Sequence, residues 1–387
     1  MQAQRDTVVQ PERKKLPADA DMIDVIRLLS KHPTPRTDSS AKMVGKLHFS
    51  IVPAIGYTLS TGWAGILGSN IGWYTSNPDS TNISSISSSM VYSEYNQLTL
   101  PLQVNLWTQN NRYNYVADWR YYKYPQATYG LGGHSSLANA DLIDYSHVRI
   151  HQSVLKNVYP NVYAGIGYFL DYHWNVHEIG QSDSMPSDAY NYGLPSHSMS
   201  SGPVINLLYD NRPNSINPDG GLYANVLYRN NLKFLASDSN WQSLTLDVRK
   251  YIRFPSNSEN ILALWSYDWL TLAGKPPYLD LPSTGWDAYN NTGRGYIQGR
   301  FRGKNMLYLE AEYRFAVTKN GLFGMVVFAN AETFSEYPSN DFDIIWPAAG
   351  LGVRLKINKH SKANIAVDYG WGADGSHGLF VNLGEVF

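Results

Sequence analysis

The histidines and acidic residues are the first place to look for catalytic or metal-binding chemistry. Gly133-His134-Ser135-Ser136 lacks the Gly-x-Ser-x-Gly spacing that exposes a nucleophilic serine. His147 and His151 share one face of a predicted strand, without an acid at an informative spacing. No set of His, Glu and Asp residues has convincing metal-ligand spacing. The sequence therefore predicts no enzyme, no metal site and no cofactor, and histidines facing a polar interior are the simpler explanation.

Charged residues on the later predicted strands suggest a different chemistry. They are Asp247, Arg249, Arg253, Glu312, Arg354 and Asp368. In a hollow protein such residues would line a pore and set its ion selectivity. Equally, they would neutralise one another around a loop folded into the interior. Both interpretations require a scaffold with a wide, polar interior.

Composition favours such a scaffold. The 387 residues include 29 Tyr, 11 Trp and 12 Phe but no Cys, which excludes disulfides and thiolate chemistry. Charged residues make up 16% of the chain, against about a quarter in an average soluble domain. The 31 basic and 32 acidic residues supply no cluster of positive charge, so we expect no nucleic-acid partner. This composition is typical of a transmembrane β-barrel.

Alternation with a period of two runs through the chain from Gly45 onward. Leu47, Phe49 and Ile51, for example, alternate with His48 and Ser50, which predicts a strand with one apolar and one polar face. We predict sixteen strands, at 45–58, 61–76, 82–95, 97–109, 112–123, 140–156, 160–176, 199–211, 220–233, 239–254, 259–272, 305–317, 320–333, 348–358, 362–371 and 378–387. The number is even, as bacterial single-chain barrels require.

A soluble β-sandwich would show the same alternation, with its apolar face buried. Two features favour a barrel. The low charge leaves few solubilising groups, and the last predicted strand ends on an aromatic residue, Phe387, as outer-membrane barrels usually do. The predicted fold is all-β: a 16-stranded antiparallel transmembrane β-barrel with a short N-terminal helix.

Residues 1–44 are predicted to form a separate tether, because this segment is charged and contains several prolines. Apolar residues recur there at helical spacing, at Met22, Ile23, Ile26 and Leu29. They predict one short amphipathic helix at about 19–32, which either lies on a nearby apolar surface, plugs the barrel or docks a partner. Because Met1 is not followed by the basic and apolar regions of a signal peptide, we take the chain as a mature form.

Three segments resemble the outer-membrane protein assembly-factor superfamily, the BamA/TamA-like barrels known as bacterial surface antigens. Residues 201–221 resemble its Tyr-Asp-x-Arg, Asn-Pro, Gly hairpin. Residues 292–315 resemble its sixth extracellular loop with an Arg-Gly-Tyr tip, and 364–387 resemble its closing hairpin. The resemblance covers roughly residues 45–387. Only 44 residues precede the first predicted strand, so we expect a branch without the periplasmic POTRA domains of the family.

The resemblance implies a latch between the loop at about 273–304 and the barrel wall. At the loop tip, Arg294 offers a planar fork of five donors that suits a carboxylate, and Gly295 lets the tip turn beside Tyr296. Glu312, which the alternation places inward, stands where family members pair a glutamate with the loop arginine.

The next strand departs from the family pattern, because Asn330 replaces an aspartate and Glu332 replaces a glycine. The resemblance leaves Glu332 or Asp368 to supply the missing charge. The junction of the first and last strands is predicted to be the weakest pairing of the barrel. Pro53 cannot donate to a ladder, and Gly384 lies in the predicted last strand. A proline tolerated at a bulge is the alternative explanation.

We therefore expect a non-enzymatic barrel in the bacterial outer membrane that assists the assembly or insertion of outer-membrane proteins or lipids. Its partners would be lipopolysaccharide and phospholipid, together with other outer-membrane or periplasmic proteins. The alternative is a translocation or diffusion channel gated by the loop 273–304.

Overall fold

The structure is a computed structural model that describes residues 16–30, 44–45, 47–78, 80–179, 187–359 and 362–387. Most of the predicted tether, including the last two residues of the predicted helix, lies outside these ranges. The described residues form two short α-helices and seventeen strands: α1 (Met22–Leu29), β1 (His48–Thr58), β2 (Gly62–Trp73), β3 (Ser84–Ser93), β4 (Leu98–Trp107), β5 (Tyr113–Lys123), β6 (Gln126–Thr128), β7 (Asp141–Tyr159), β8 (Val162–Ile179), α2 (Asp188–Tyr192), β9 (His197–Asp210), β10 (Gly221–Asn231), β11 (Trp241–Arg253), β12 (Ile261–Gly274), β13 (Asn305–Ala316), β14 (Phe323–Phe334), β15 (Trp346–Asn358), β16 (Ala363–Gly372) and β17 (His377–Leu383).

Each long strand pairs antiparallel with the next one along the chain, from β1 to β17. The sixteen predicted strands are confirmed. The three-residue strand β6 was not predicted; it pairs with β7 beyond the end of β5, and Pro125 lies in the break between β5 and β6. Proline has no amide hydrogen for the ladder, which explains why one edge is divided into two strands.

The apolar face of the strands points outward and the charged face points inward. On β13, Leu309 is 62% exposed, whereas Glu312 is fully buried. The neighbouring strands repeat the pattern, with Val327 and Leu351 exposed and Asp368 buried. A β-sandwich would bury the leucines and expose the carboxylates, so the sandwich is excluded and the all-β barrel is confirmed.

The barrel is nearly closed. Strands β1 and β17 lie side by side, but among their described residues no paired register joins them. We call this junction the seam. The prediction that Phe387 closes the last strand is wrong: β17 ends at Leu383, and Gly384 takes a φ of 98°. A positive φ is easy for glycine, so the chain can leave the wall here, and Phe387 is buried inside the barrel.

The two ends of the barrel differ. Long connections, such as β8 to β9, β12 to β13 and β14 to β15, lie at one end, which we call the long-loop end. Helix α1 lies at the opposite, short-turn end. Asp21 caps this helix and accepts a hydrogen bond from the Lys359 amide at 3.0 Å, while the Ala20 amide donates to the Asn320 carbonyl. None of the helices in the described ranges is both long enough and apolar enough to span a bilayer.

Candidate functional site

The connection from β12 to β13, residues 275–304, folds back into the barrel. The loop is itself a narrow hairpin, because the Thr284 amide donates to the Phe301 carbonyl at 3.1 Å. Ser283, Thr284, Tyr296 and Phe301 are all buried. A long loop loses much conformational entropy on folding inward, so it needs anchors on the wall.

The tip of the loop meets the wall with almost no space between the two backbones. Gly295 has a φ of 116°, and a Cβ there would lie 2.8 Å from the Cβ of Ala348. A Cβ on Gly370 of β16 would lie 2.8 Å from the Gly295 amide nitrogen. The Ser376 hydroxyl donates to the Gly295 carbonyl at 2.8 Å. Glycine is therefore required at 295 both for its conformation and for the close approach.

Arg294 inserts its guanidinium among carboxylates of two wall strands. It donates to Glu312 at 2.6 Å and to Asp368 at 2.5 Å, and it also contacts Glu310. Arg294 is 1% exposed, and the three carboxylates are buried as well. Charge-assisted bonds from a planar fork to several acceptors are the strongest hydrogen bonds available to a loop. We call this group, with Arg294 at its centre, the clamp.

The structure places Asn330 and Glu332 on either side of the clamp rather than in it. The Asn330 side-chain amide donates to the Arg294 carbonyl at 2.9 Å, so it holds the loop backbone. Glu332 accepts a hydrogen bond from Thr284 at 3.0 Å. Of the two substitutes that the sequence left open, Asp368 contacts the guanidinium. The Phe328 ring adds a cation–π contact, 3.8 Å from the Arg294 guanidinium carbon.

Tyr296 fixes the other side of the tip. Its hydroxyl donates to the Pro347 carbonyl at 2.6 Å and accepts from the Ala373 amide at 2.9 Å. Burial raises the pKa of this tyrosine to about 12, so it remains a neutral donor. The three consecutive tip residues thus hold the loop to the wall between β13 and the turn after β16.

The charged network continues from the clamp to the end of the chain. Arg354 bridges Asp368 at 2.5 Å and Glu385 at 2.7 Å. Arg314 contacts Glu312 at 2.6 Å and donates to the Phe387 carbonyl at 2.9 Å. Residues 385–387 are thus held inside the barrel by the wall strands that carry the clamp.

A second buried cluster surrounds Asp171 on β8. Its carboxylate is 3.1 Å from His147 and 2.7 Å from His151, and it accepts from Arg149 at 2.8 Å and from Arg229 at 2.7 Å. Burial of the Asp171 charge is offset by these partners. A carboxylate so fully engaged is not free to act as a base, so the cluster has the character of a cross-link between strands.

The sequence did not single out Glu310, Asp171 or Glu385 as site residues. The alternation of their strands already placed Glu310 and Asp171 on the inward face. What the sequence lacked was the register between neighbouring strands, which brings His147 opposite His173 and Arg149 opposite Asp171. Glu385 was missed because it was assigned to the last strand.

No family model matches this chain, and no curated protein matches it. Solved structures do. BamA from Haemophilus ducreyi lacking POTRA domains 1–3 is similar with a TM-score of 0.55 and 14% identity, covering 87% of this chain and 70% of that one. CdiB from Acinetobacter baumannii has a TM-score of 0.54 and 14% identity, covering 89% of this chain and 67% of its own.

CdiB from Escherichia coli has a TM-score of 0.52 and 10% identity, covering 93% of this chain and 69% of its own. Identities this low establish the architecture and not the activity. The three matches cover between 87% and 93% of this chain. The chain therefore has the β-barrel fold of the BamA and CdiB structures.

Proposed function

We propose that this chain spans the bacterial outer membrane and assists the insertion of other membrane proteins or of lipids at its seam. The observation that carries the proposal is that no paired register joins β1 and β17 among the residues that the structure describes, whereas the other neighbouring strands are paired. An unpaired edge in the hydrocarbon layer is costly, because its amide and carbonyl groups have no water to bind. Such an edge is suited to receive another strand.

The length of β17 supports the proposal. It has seven residues, whereas a strand needs about nine to eleven to cross a bilayer. Its neighbour across the seam, β1, has eleven. Because residues 384–387 turn inward, the wall is short where β17 ends, and the bilayer beside it would have to thin.

The clamp makes the wall beside the seam rigid. Arg294 ties the loop to β13 and β16, and Arg354 on β15 joins the same network. The wall next to the seam is thereby held from inside while the seam stays weak. Barrel opening would then be confined to one line rather than spread along the wall.

The outer surface supports a membrane location. Phe49 and Ile55 of β1 and Leu351 and Val353 of β15 are exposed apolar side chains on the outer face. An exposed apolar surface that surrounds the barrel is suited to lipid rather than water. We assign the long-loop end to the cell exterior, where it would contact lipopolysaccharide, and the short-turn end to the periplasm, where other proteins would approach α1.

A disulfide that locks the seam tests this function directly. A Cβ on Gly378 of β17 would lie 2.8 Å from the Leu59 side chain, and the chain has no native cysteine. We expect the purified barrel in liposomes to accelerate insertion of a small urea-denatured β-barrel client. Oxidation of L59C/G378C should abolish the acceleration, and reduction should restore it. The control pair L67C/M90C, opposed within the β2–β3 ladder, should be unaffected by oxidation.

A gated channel is the second candidate, favoured by the charged interior and by the loop that occupies it. It predicts a conductance in planar bilayers that rises when Arg294→Ala releases the loop. Silent bilayers combined with seam-dependent insertion would support assembly. Conductance that responds to the loop, without any effect of the seam lock, would overturn the assembly proposal.

A further inference from the structure

Two loops that are distant in sequence bring three potential metal ligands together at the long-loop end. His134 lies between β6 and β7, and Glu336 and Asp343 lie between β14 and β15. The His134 Nε2 atom is 3.7 Å from an Asp343 oxygen and 4.0 Å from a Glu336 oxygen. All three ligand atoms lie within 4.8 Å of one another. Two ligands on one tetrahedral zinc stand about 3.4 Å apart, so closure requires the ligand atoms to approach one another by at most about 1.4 Å.

The surroundings hold one of the ligands in place. The Glu336 carboxylate accepts hydrogen bonds from the Gly133 amide at 2.8 Å and the His134 amide at 3.1 Å. Gly132 has a φ of 86°, and a Cβ there would lie 1.9 Å from the other Glu336 oxygen. The Trp346 indole donates to the Gly133 carbonyl at 2.9 Å. The backbone that carries His134 is therefore already fixed against Glu336, which lowers the entropy cost of assembling the ligands.

The other two ligands keep the freedom that a metal needs. The side chain of His134 is 60% exposed and that of Asp343 is 53% exposed. Both can move by small rotations, and the open side leaves coordination positions for water. Two carboxylates alone would suit calcium or magnesium, which prefer oxygen ligands. The imidazole nitrogen instead favours a first-row transition metal.

We propose that His134, Glu336 and Asp343 bind a divalent transition-metal ion, with Zn²⁺ as the best fit to one nitrogen and two oxygens. The site joins the loop between β6 and β7 to the loop between β14 and β15. The first of these loops also holds the inserted loop: the Gly132 amide donates to the Arg302 carbonyl at 2.7 Å, and Arg300 donates to Ser135 at 2.9 Å. Metal binding thus helps to hold residues 275–304 in their position inside the barrel. This role does not depend on the proposed activity of the seam.

The test is calorimetric titration of the untagged full-length barrel in detergent with Zn²⁺. We expect one bound ion per chain and no comparable binding of Ca²⁺. His134→Ala and Asp343→Asn should each weaken binding at least about tenfold. His197→Ala removes another exposed histidine and should leave binding unchanged. Because only the neutral imidazole is a ligand, affinity should fall on acidification.

A second measurement separates binding at this site from adventitious binding. Zn²⁺ should slow proteolysis of the loop between β6 and β7 in the wild-type chain and not in His134→Ala. Since His134 and Asp343 are exposed, both variants should fold, which heat-modifiable migration on a detergent gel verifies. The proposal is overturned if no saturable binding occurs at micromolar Zn²⁺, or if His134→Ala binds as tightly as the wild type.

Discussion

The two buried charge clusters of the barrel are built in opposite ways. In the clamp, one cation of a loop, Arg294, is surrounded by carboxylates of wall strands. In the other cluster one carboxylate of the wall, Asp171, is surrounded by two arginines and two histidines that also belong to wall strands. The clamp joins a loop to the wall, whereas the Asp171 cluster joins the wall to itself.

This difference separates the position of the inserted loop from the stability of the barrel. Removing the central charge leaves at least one buried partner uncompensated in each cluster, Glu310 in the clamp and Arg229 in the other, so both removals should destabilise the barrel. Only the clamp, however, decides where residues 275–304 lie. The two clusters can therefore be distinguished by a measurement on the loop rather than by stability alone.

The largest effect is expected for Arg294→Ala. The change leaves Glu310, Glu312 and Asp368 buried together, and it should lower the free energy of unfolding by about 4 kcal/mol. The loop 275–304 should become accessible to protease while the strands stay protected, which mass spectrometry of the fragments measures. Arg294→Lys should be intermediate, because an ammonium group lacks the planar fork.

The matched control for this change is Arg253→Ala, which breaks an exposed pair with Asp219. Surface pairs contribute less than about 1 kcal/mol, so the control should leave stability and protease resistance almost unchanged. A loop that stays protected in Arg294→Ala would contradict the assignment of the clamp as its anchor.

Asp171→Asn should have the second-largest effect. It leaves Arg149 and Arg229 buried without a countercharge and should cost about 3 kcal/mol in urea or heat unfolding. The loop should stay resistant to protease in the folded fraction. If the loop were cleaved as readily as in Arg294→Ala, the two clusters would act as one unit and the comparison would fail.

Glu385→Gln probes the branch of the clamp network that holds the end of the chain. The change removes the charge that Arg354 contacts at 2.7 Å, and a charge-assisted bond of this kind contributes about 1.5 kcal/mol. In a Phe387→Cys background, it should speed maleimide labelling of the new thiol relative to Phe387→Cys alone. Equal labelling rates would show that the end of the chain is held without Glu385.

The last prediction concerns pH. Asp280 lies in the inserted loop, outside the strands, and burial together with the nearby Asp171 charge raises its pKa to about 7. The folded state thus keeps a proton that the unfolded chain loses above about pH 4, so the contribution of Asp280 to stability falls as pH rises from about 4 to 7. Asp280→Asn should flatten this part of the stability profile, which urea unfolding at a series of pH values measures. An unchanged slope would contradict the prediction.

Much of the fold could be predicted because alternate residues of a barrel strand face the lipid and the polar interior. The side chains therefore alternate between apolar and polar along the sequence. Glu312, for example, was assigned to the inward face from parity alone. The strand β6 escaped prediction because three residues are too few to show a period. Phe387 was misplaced because the turn at Gly384 depends on the inward partners of the last residues, Arg314 and Arg354, which lie far away in sequence.

The site was predictable only in part. Arg294, Gly295 and Tyr296 were singled out by a resemblance, and the structure then placed Arg294 against Glu312 and Asp368. Glu310 was not assigned to the latch, and Asp171 was not identified as the partner of His147 and His151, because local periodicity says which face a residue takes but not which residue stands opposite. The Glu336 carboxylate meets the His134 loop across more than two hundred residues, a contact that no local pattern contains.

The sequence by itself determined the number of long strands, their inward and outward faces and the loop that carries the arginine, because these follow from alternation and composition along the chain. Only the tertiary structure decided where the ends of the sheet meet at the seam, the inward turn after Leu383 and the partners of each buried charge. Those features depend on strand register and on how the wall curves to bring its ends together, which are properties of the assembled sheet rather than of any one segment.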